Sequence, residues 1–371
     1  MKGNTWTAAA LLAAALIALV AVVPEFRAMH VDEAIRKGPG VTSLRPLSDW
    51  HPPLRGTPGD TDVYILDSGR PGGTVLVLGG THPNEPSGVL TAVLLIENAR
   101  PAAGRLVVIP RANESGFTHT DYSEGAPQHF AIPTASGERI FRFGSRATNP
   151  IHQWPDPDIY VHSSGQRLSG SETRNLNRAY PGRADGPLTE QVAYAIVQLI
   201  RAEKADLSID LHEASPEYPV INAMVAHERA MDLAAAAAIG LQMDGVEIGL
   251  EPSPRTLRGL SHREWGDATD TLAVLAESAN PAQGRLRGAT SSALVVTGAD
   301  RMYAQAARLG RLFVPFEGQG IPLSVRVARH TATVMELVRT WSEASPGRVV
   351  EIEGVPAYGE LVGKGVGAYL G

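Results

Sequence analysis

Short apolar runs alternate with amphipathic stretches through most of the chain. Residues 74–78 (TVLVL) are continuously apolar, which is typical of a strand buried on both faces of a sheet. Further strands are predicted at residues 62–66, 105–109, 205–211, 272–275 and 349–352. Helices are predicted at residues 87–98, 187–202, 226–239 and 325–341, the first of them capped by Ser87. This alternation predicts the α/β class, with a mixed, mostly parallel twisted sheet and helices on both faces.

The start of the chain differs from this pattern. Residues 8–23 form an unbroken apolar run that follows Lys2 and stops at Pro24. Because the run has no polar face, a signal peptide or a membrane anchor over residues 1–24 is favoured over a buried core helix. The sequence therefore predicts an exported, extracytoplasmic protein, or one that its N-terminus anchors to the membrane.

The remaining domain boundaries follow from composition. Residues 25–60 are rich in Pro, Gly and Arg and form a lead-in segment, residues 61–345 form one α/β domain, and residues 346–371 are a glycine-rich C-terminal tail. Within the domain, residues 112–186 are rich in Gly, Ser, Pro, Asn and His and contain few apolar runs. This stretch is predicted to be a long loop-rich insertion, and insertions of that kind are commonly functional.

Composition and missing motifs exclude several classes of function. The 371 residues carry a net charge of -6 without a dense Lys/Arg cluster, which argues against a nucleic-acid partner. The absence of cysteine excludes thiolate metal ligands and a cysteine nucleophile. No G-x-S-x-G elbow occurs, and His212-Glu213 lacks the second histidine of a helical zinc motif. A transition-metal site must therefore use the 11 histidines and the carboxylates.

Four chemically active side chains follow predicted strands. His82 and Glu85 come after the apolar run at residues 74–78. His212 follows the predicted strand at residues 205–211, and Glu277 follows the one at residues 272–275. Because the carboxyl ends of parallel strands meet at one edge of a sheet, we expect these side chains to lie together. Catalytic zinc often takes two histidines and one carboxylate and keeps a fourth position for water. The pattern predicts one Zn²⁺ held by His82, Glu85 and His212, with Glu277 beside it as a general base.

Four motifs occur in an order found in one group of hydrolases. They are GGTHPNEPSG, RNLNRAYPG, SIDLHEA and LAESANPAQG, and together with the apolar run before the first of them they span residues 74–284. In these motifs the chain resembles the zinc carboxypeptidase-like enzymes and, more narrowly, their aspartoacylase and succinylglutamate desuccinylase branch. The resemblance implies that fold, and it implies that His82, Glu85 and His212 are the zinc ligands. It also implies that Glu277 activates a water molecule and then protonates the leaving amine.

The resemblance further implies two roles for arginine. Arg178, together with Asn177, would hold a substrate carboxylate, which suits the planar guanidinium group. A second arginine, upstream in the sequence, would polarise the scissile carbonyl and stabilise its oxyanion. The expected position falls near Arg167 and Arg174, and of these two we favour Arg167.

Two further carboxylates have open roles. Asp210 is predicted to share a strand face with His212, where it either supports the site or is an ordinary strand-end residue. Glu317 also follows an apolar run and competes with Glu277 for the role of base, but it lacks the Pro-x-Gln-Gly context. The four histidines of the loop-rich insertion are expected to be solvated or hydrogen-bonded and not to form a second metal site.

These features favour a zinc-dependent hydrolase that deacylates an N-acyl amino acid or a similar small carboxylated amide. The first alternative is an exported carboxypeptidase that acts on peptides or cell-wall fragments, which the N-terminal apolar run favours. The second is a catalytically inactive exported binding protein of the same fold. The expected partners are thus a small carboxylated amide or peptide, a membrane through the N-terminal run, and no nucleic acid.

Overall fold

The computed structural model describes residues 2–121 and 125–371. The strands are β1 (Val41–Pro46), β2 (Asp62–Asp67), β3 (Thr74–Leu78), β4 (Arg100–Ala103), β5 (Arg105–Ile109), β6 (His129–Thr134), β7 (Gly137–Arg142), β8 (Ile159–Val161), β9 (Arg167–Ser169), β10 (Leu207–Ala214), β11 (Ala223–Ala226), β12 (Gly249–Pro252), β13 (Leu272–Ala279) and β14 (Glu351–Glu353). The α-helices are α1 (Lys2–Ala28), α2 (Pro86–Asn98), α3 (Leu188–Glu203), α4 (Met231–Met243), α5 (Ser261–Ala268), α6 (Ser292–Thr297), α7 (Arg301–Arg308), α8 (Leu323–Ala344) and α9 (Tyr358–Lys364).

An eight-stranded sheet forms the centre of the fold, in the order β1-β2-β5-β3-β10-β13-β11-β12. β5, β3, β10 and β13 are parallel to one another, whereas β2 runs antiparallel to β5 and β11 runs antiparallel to β13. All five residues of β3 are buried, as its continuous apolar run predicts. The predicted mixed, mostly parallel sheet is confirmed.

Helices cover both faces of the sheet. On one face α2, α4 and α8 form a core with β3 and β10 through residues such as Leu95, Ala237 and Val334. On the other face α3 and α5 pack through Ile196 and Trp265. The helices on both faces are therefore also confirmed, and the carboxyl ends of the central strands lie at the edge between the two layers.

The structure contains elements that the apolar pattern did not predict. β1 lies in the predicted lead-in segment, where it pairs with β2 as an edge strand. None of its residues is fully buried, which explains why it lacks an apolar signal. The loop-rich insertion contains two hairpins, β6–β7 and β8–β9. β10 and β13 are longer than predicted, so that His212 and Glu277 lie within strands and not after them.

α1 lies outside the packed fold. Its residues Asn4–Ala28 are exposed, and in the described part of the chain this 25-residue stretch is the helix that is long and apolar enough to span a membrane. Pro24, which follows the apolar run, lies inside this helix, and the helix continues to Ala28. The residues directly after α1 already pack against the domain. Met29 is buried, and Glu33 forms an ion pair with Arg142 at 3.0 Å.

Candidate metal centre

The turn between β3 and α2 carries His82 and Glu85. Gly80 turns the chain after β3 with φ +69°, a left-handed conformation that glycine adopts without strain. α2 then begins at Pro86, whose fixed φ suits the first helical position. The predicted cap, Ser87, lies inside the helix instead, and Glu85 precedes the helix without a side-chain cap hydrogen bond. The Glu85 carboxylate is therefore available to side chains at the edge of the sheet.

Neighbouring parallel strands bring His212 and Glu277 together. His212 of β10 is in register with Glu277 of β13, so both side chains lie on the same face of the sheet. α2 approaches β10 closely at Gly88, where an added Cβ would lie 2.6 Å from the carbonyl oxygen of Leu211. A larger residue at position 88 would thus push α2, and Glu85 with it, away from the strand that carries His212.

His82, Glu85 and His212 form a compact buried group, here called the metal-ligand cluster. Nδ1 of His82 lies 2.8 Å from Oε1 of Glu85, and Nδ1 of His212 lies 3.0 Å from Oε2 of Glu85. One ligand atom of each residue lies within 4.8 Å of the other two. All three side chains are 2% exposed. The structure therefore brings the three predicted ligands together at a spacing that fits one ion.

The second ring nitrogen of each histidine is held by an oxygen atom. Nε2 of His82 lies 2.9 Å from Oδ1 of Asn175, and Nε2 of His212 lies 2.8 Å from Oδ2 of Asp210. These contacts turn both Nδ1 atoms toward Glu85, which is how histidine ligands are commonly oriented in metal sites. The contact with His212 favours the supporting role for Asp210. Asn175 was missed, although it lies in the RNLNRAYPG motif.

The cluster contains one histidine that favours its neutral form and one that favours its charged form. Burial raises the pKa of Glu85, but the rings of His82 and His212 outweigh this and hold it well below its ordinary value. Burial also disfavours the charge on His212, yet Asp210 and Glu85 raise its pKa well above the usual range. For His82, burial and the charge of Arg146 lower the pKa to about 4. Two carboxylates therefore stabilise a positive charge here, which a metal cation can supply in place of a proton.

This set of donors fits a divalent transition metal. Two imidazole nitrogens and one carboxylate are the protein ligands of many catalytic zinc sites. The Glu85 carboxylate is also fixed from outside the cluster, because the Glu213 amide donates a hydrogen bond to its Oε2 at 2.9 Å. A zinc ion at this place would be held by His82, Glu85 and His212.

Glu277 lies beside the cluster with an unsatisfied oxygen. Its Oε2 atom is buried and has no hydrogen-bond partner among the described residues. Burial raises the pKa of Glu277 to about 8, opposed by His212 and aided by Glu85. A buried polar atom without a partner is costly, and substrate or water would satisfy it. The rival base, Glu317, is exposed and accepts a hydrogen bond from Gln319 at 2.7 Å.

Arg146 lies beside the metal-ligand cluster, although nothing in the sequence singled out this arginine. Its Nη1 atom is 3.8 Å from Oε1 of Glu85, and its side chain is 42% exposed. The charge of Arg146 also lowers the pKa values of His82, Arg178 and Glu277. Arg146 is therefore placed to act on an anionic or carbonyl oxygen that approaches the cluster.

Neither arginine that was predicted for the oxyanion occupies this place. Arg167 is exposed on β9, and its side chain makes no hydrogen bond or ion pair with any residue that the structure describes. The structure thus does not bring Arg167 to the cluster. Arg174 is held by two hydrogen bonds to Asp156, of 2.7 and 2.9 Å. The position of Arg146 depends on the course of the loop-rich insertion, which carries no strand or helix signal.

Arg178 lies near Arg146 and Glu277. Its Nη1 atom donates a hydrogen bond to the carbonyl oxygen of Asn177 at 2.6 Å, and its Nε atom is 3.8 Å from a Glu172 carboxylate oxygen. Burial and the charge of Arg146 lower the pKa of Arg178, while Glu172 and Glu277 oppose that change. A bound anion would relieve the repulsion between the two guanidinium groups.

Asn177 is directed toward the fold. Its side-chain Oδ1 accepts a hydrogen bond of 2.8 Å from the backbone N–H of Ser261, the first residue of α5. Its backbone N–H donates a hydrogen bond to Oδ1 of Asn175. Asn177 therefore fixes the turn that presents Arg178. A contact between the Asn177 amide group and substrate stays a prediction.

The comparisons with known proteins give matches among solved structures alone. The sequence matches no family model and no curated protein. One similar solved structure is an ectoine utilization protein from Ruegeria pomeroyi, with 20% sequence identity over 59% of this chain and 53% of that chain and a TM-score of 0.37. A succinylglutamate desuccinylase from a Silicibacter species has 19% identity over 59% of this chain and 53% of that chain, also with a TM-score of 0.37. A metallo-carboxypeptidase from Burkholderia cenocepacia has 12% identity over 84% of this chain and 67% of that chain, with a TM-score of 0.49. The chain spans about half the length of the first two. Two of these proteins, the succinylglutamate desuccinylase and the metallo-carboxypeptidase, carry the names of groups that the chain resembles in its four motifs.

Proposed function

We propose that this protein is a zinc-dependent hydrolase that deacylates an N-acyl amino acid or a similar small carboxylated amide. The observation that carries the proposal is the placement of Glu277, Arg146 and Arg178 around the metal-ligand cluster. These residues supply a proton acceptor and two cationic groups next to a set of zinc-type ligands. A zinc-dependent hydrolase of a carboxylated amide would have a use for each of these groups.

Glu277 would transfer the protons of the reaction. A bound zinc ion would lower the pKa of water in its open coordination position toward neutrality. The Glu277 carboxylate would accept a proton from the attacking water and pass it to the departing amine. Burial raises the pKa of Glu277 above its ordinary value and so brings it closer to neutral pH, where one group can both accept and donate a proton efficiently.

The two arginines would divide the binding of substrate oxygens. Arg146 lies against the Glu85 side of the cluster, so it would stabilise the oxyanion of the scissile carbonyl, the task first predicted for Arg167. Arg178 is more buried and lies near Glu277, so it would bind the substrate carboxylate through its guanidinium fork. A substrate that lacks the carboxylate would leave the charge of Arg178 unsatisfied.

The proposal is tested by metal analysis and an amide panel on the purified full chain. We expect about one zinc per chain, and faster hydrolysis of N-acyl amino acids than of the matching N-acyl amines without a carboxylate. Glu85→Gln should lose zinc and activity together. Glu317→Gln, the same change at an exposed glutamate, should keep both. Zinc-free active protein, or equal rates with and without the carboxylate, would contradict the proposal.

A second candidate function is supported by α1. An apolar helix outside the fold suits an exported carboxypeptidase that trims peptides or cell-wall fragments. A series of peptides of increasing length separates the two functions, because a deacylase pocket should reject the longer members. A rate that rises with peptide length would replace the first proposal with the second.

A further inference from the structure

The end of α1 is held against the domain without a linker. Met29, directly after the helix, is 1% exposed, and its carbonyl oxygen accepts a hydrogen bond from Arg142 at 3.2 Å. Glu33 binds the same guanidinium group through two contacts of 3.0 Å. Within the last turns of α1, Glu25 lies 3.8 Å from His129 of β6. A bilayer that contains α1 would therefore lie close to this side of the domain.

A turn beside this helix end exposes two large apolar side chains. Ile151 is 87% exposed and Trp154 is 72% exposed. Between them, Nδ1 of His152 lies 2.8 Å from the hydroxyl oxygen of Ser115. The residue before Ser115, Glu114, accepts a hydrogen bond of 3.0 Å from Arg142, the same guanidinium group that holds Met29. Met29 is the first residue after α1, so these contacts place the exposed pair near the point where the apolar helix meets the domain.

The turn holds these side chains outward by buried polar contacts. Asn149 is buried, and its Oδ1 accepts a hydrogen bond from the Ile151 amide at 3.0 Å. Gln153 points inward, where its Nε2 donates to the carbonyl oxygen of Thr173 at 3.0 Å. Single exposed apolar residues are common and need no explanation, so what distinguishes this fixed pair is its position beside an apolar helix.

We propose that the Ile151–Trp154 turn is a second membrane contact, which inserts into the headgroup region of the bilayer that α1 spans. This region adds about 5–7 Å on each side of the hydrocarbon core, and tryptophan is enriched there. The occupant is a lipid bilayer, because the surface is continuous with a helix of membrane-spanning length and composition. The turn would give the domain a second point of attachment beside α1, and two points of attachment set the tilt of the domain on the membrane. The proposal does not depend on the chemistry at the metal-ligand cluster.

The test uses a nitroxide label, because the chain contains no cysteine and one introduced cysteine is a unique site. Ile151→Cys and Trp154→Cys are labelled separately in the full chain and reconstituted into phosphatidylcholine vesicles. The control is Ile239→Cys on α4, at another exposed isoleucine. Each label is relaxed by oxygen, which concentrates in lipid, and by a nickel chelate that stays in water. We expect the oxygen-to-nickel ratio to be severalfold higher at both turn positions than at position 239.

Three results would overturn the proposal. The ratios at positions 151 and 154 could equal that at position 239, which would place the turn in water. The full chain could fail to float with the vesicles, which would remove α1 from the membrane. Labels at position 151 could couple to one another, which would show that a second copy of the chain covers the turn. The two separate label sites protect the result against local misfolding at either one.

Discussion

Glu213 and Glu277 lie on neighbouring strands, and burial raises the pKa of both. Glu213 is paired with Arg326 at 2.7 Å, and both side chains are fully buried. Its other oxygen accepts hydrogen bonds from the Ser87 amide and from Asn280. Glu277, in contrast, has a buried oxygen without a partner among the described residues.

The difference separates a structural carboxylate from a reactive one. His212 and Glu213 are consecutive in β10, so their side chains lie on opposite faces of the sheet. Glu277 shares the face of His212, while Glu213 faces α2 and α8. A carboxylate with all its partners stabilises the fold, whereas one that lacks a partner can hydrogen-bond to substrate or water.

The largest expected effect is on turnover in Glu277→Gln. The amide cannot accept a proton from water, so kcat should fall about 10²- to 10⁴-fold. Bound zinc and the melting temperature should stay near the wild-type values, since no described residue depends on Glu277 Oε2 for a hydrogen bond. Metal analysis, calorimetry and steady-state kinetics on one preparation check this. If Glu277→Gln kept wild-type turnover, or if it lost zinc, Glu277 could no longer be distinguished from Glu213 as the reactive glutamate.

Arg326→Met should affect folding far more than chemistry. Removing the partner of a buried ion pair leaves an uncompensated charge and typically costs about 3–5 kcal/mol of unfolding free energy. The double variant Glu213→Gln/Arg326→Met should recover part of that loss, because no charge then remains buried. Urea unfolding of the wild type, both single variants and the double variant gives the pairwise energy. Additive losses would mean that the pair is not the source of stability.

Arg178→Ala should weaken substrate binding. A hydrogen bond to a charged group contributes about 1.5–3 kcal/mol, so KM for a carboxylated amide should rise about 10- to 150-fold. Arg178→Lys keeps the charge and loses the fork, so it should lie between the wild type and Arg178→Ala. The matching amide without a carboxylate is the control substrate, and its kinetics should hardly change. A similar loss for both substrates would assign Arg178 to the fold and not to the carboxylate.

A third buried glutamate, Glu33, extends the comparison to pH. Burial raises its pKa, but hydrogen bonds and charges from Arg142 and Arg111 outweigh this and lower the pKa below its ordinary value of 4.5. A depressed pKa means that the ionised group stabilises the fold above pH 4.5 and that this stability is lost as the pH falls through the folded value.

Glu33→Gln should therefore lower the unfolding free energy at pH 7 by about 1.5–3 kcal/mol. The difference from the wild type should shrink below pH 4.5, where the wild-type carboxylate takes up its proton. Asp32→Asn is the control, because Asp32 is 58% exposed and should contribute about 0–1 kcal/mol. Thermal melts of the three proteins between pH 3 and 7 check both expectations. A difference that persists at pH 3 would mean that size and packing, not charge, make Glu33 important.

The central part of the fold could be predicted because its signals are local. β3 and β5 have the predicted bounds, since each is a run of apolar residues that the sheet buries. β1 could not be predicted, because an edge strand is defined by its hydrogen bonds to β2 and not by an apolar pattern. The extension of β10 past His212 also escaped prediction, because its register with β13 continues through polar residues.

The residues of the candidate site also fall into a group that the sequence could predict and one that it could not. His82, Glu85 and His212 follow strand signals, so sheet topology alone brings them together. Arg146 lies in a segment whose course is set by individual hydrogen bonds, such as that between Ser145 and Asp121 at 2.7 Å. Contacts of this kind have no periodicity in the sequence, and an arginine in such a segment is found only in the folded structure.

In a membrane-anchored protein, the absence of a linker after α1 would change what limits the proposed reaction. A soluble enzyme meets substrate at a rate set by the concentration in the surrounding volume. A domain held against a bilayer samples only a thin layer above it, because its anchor ends where the fold begins. Substrates confined to that layer would meet the site by lateral diffusion, and the relevant variable would be their number per unit area of membrane.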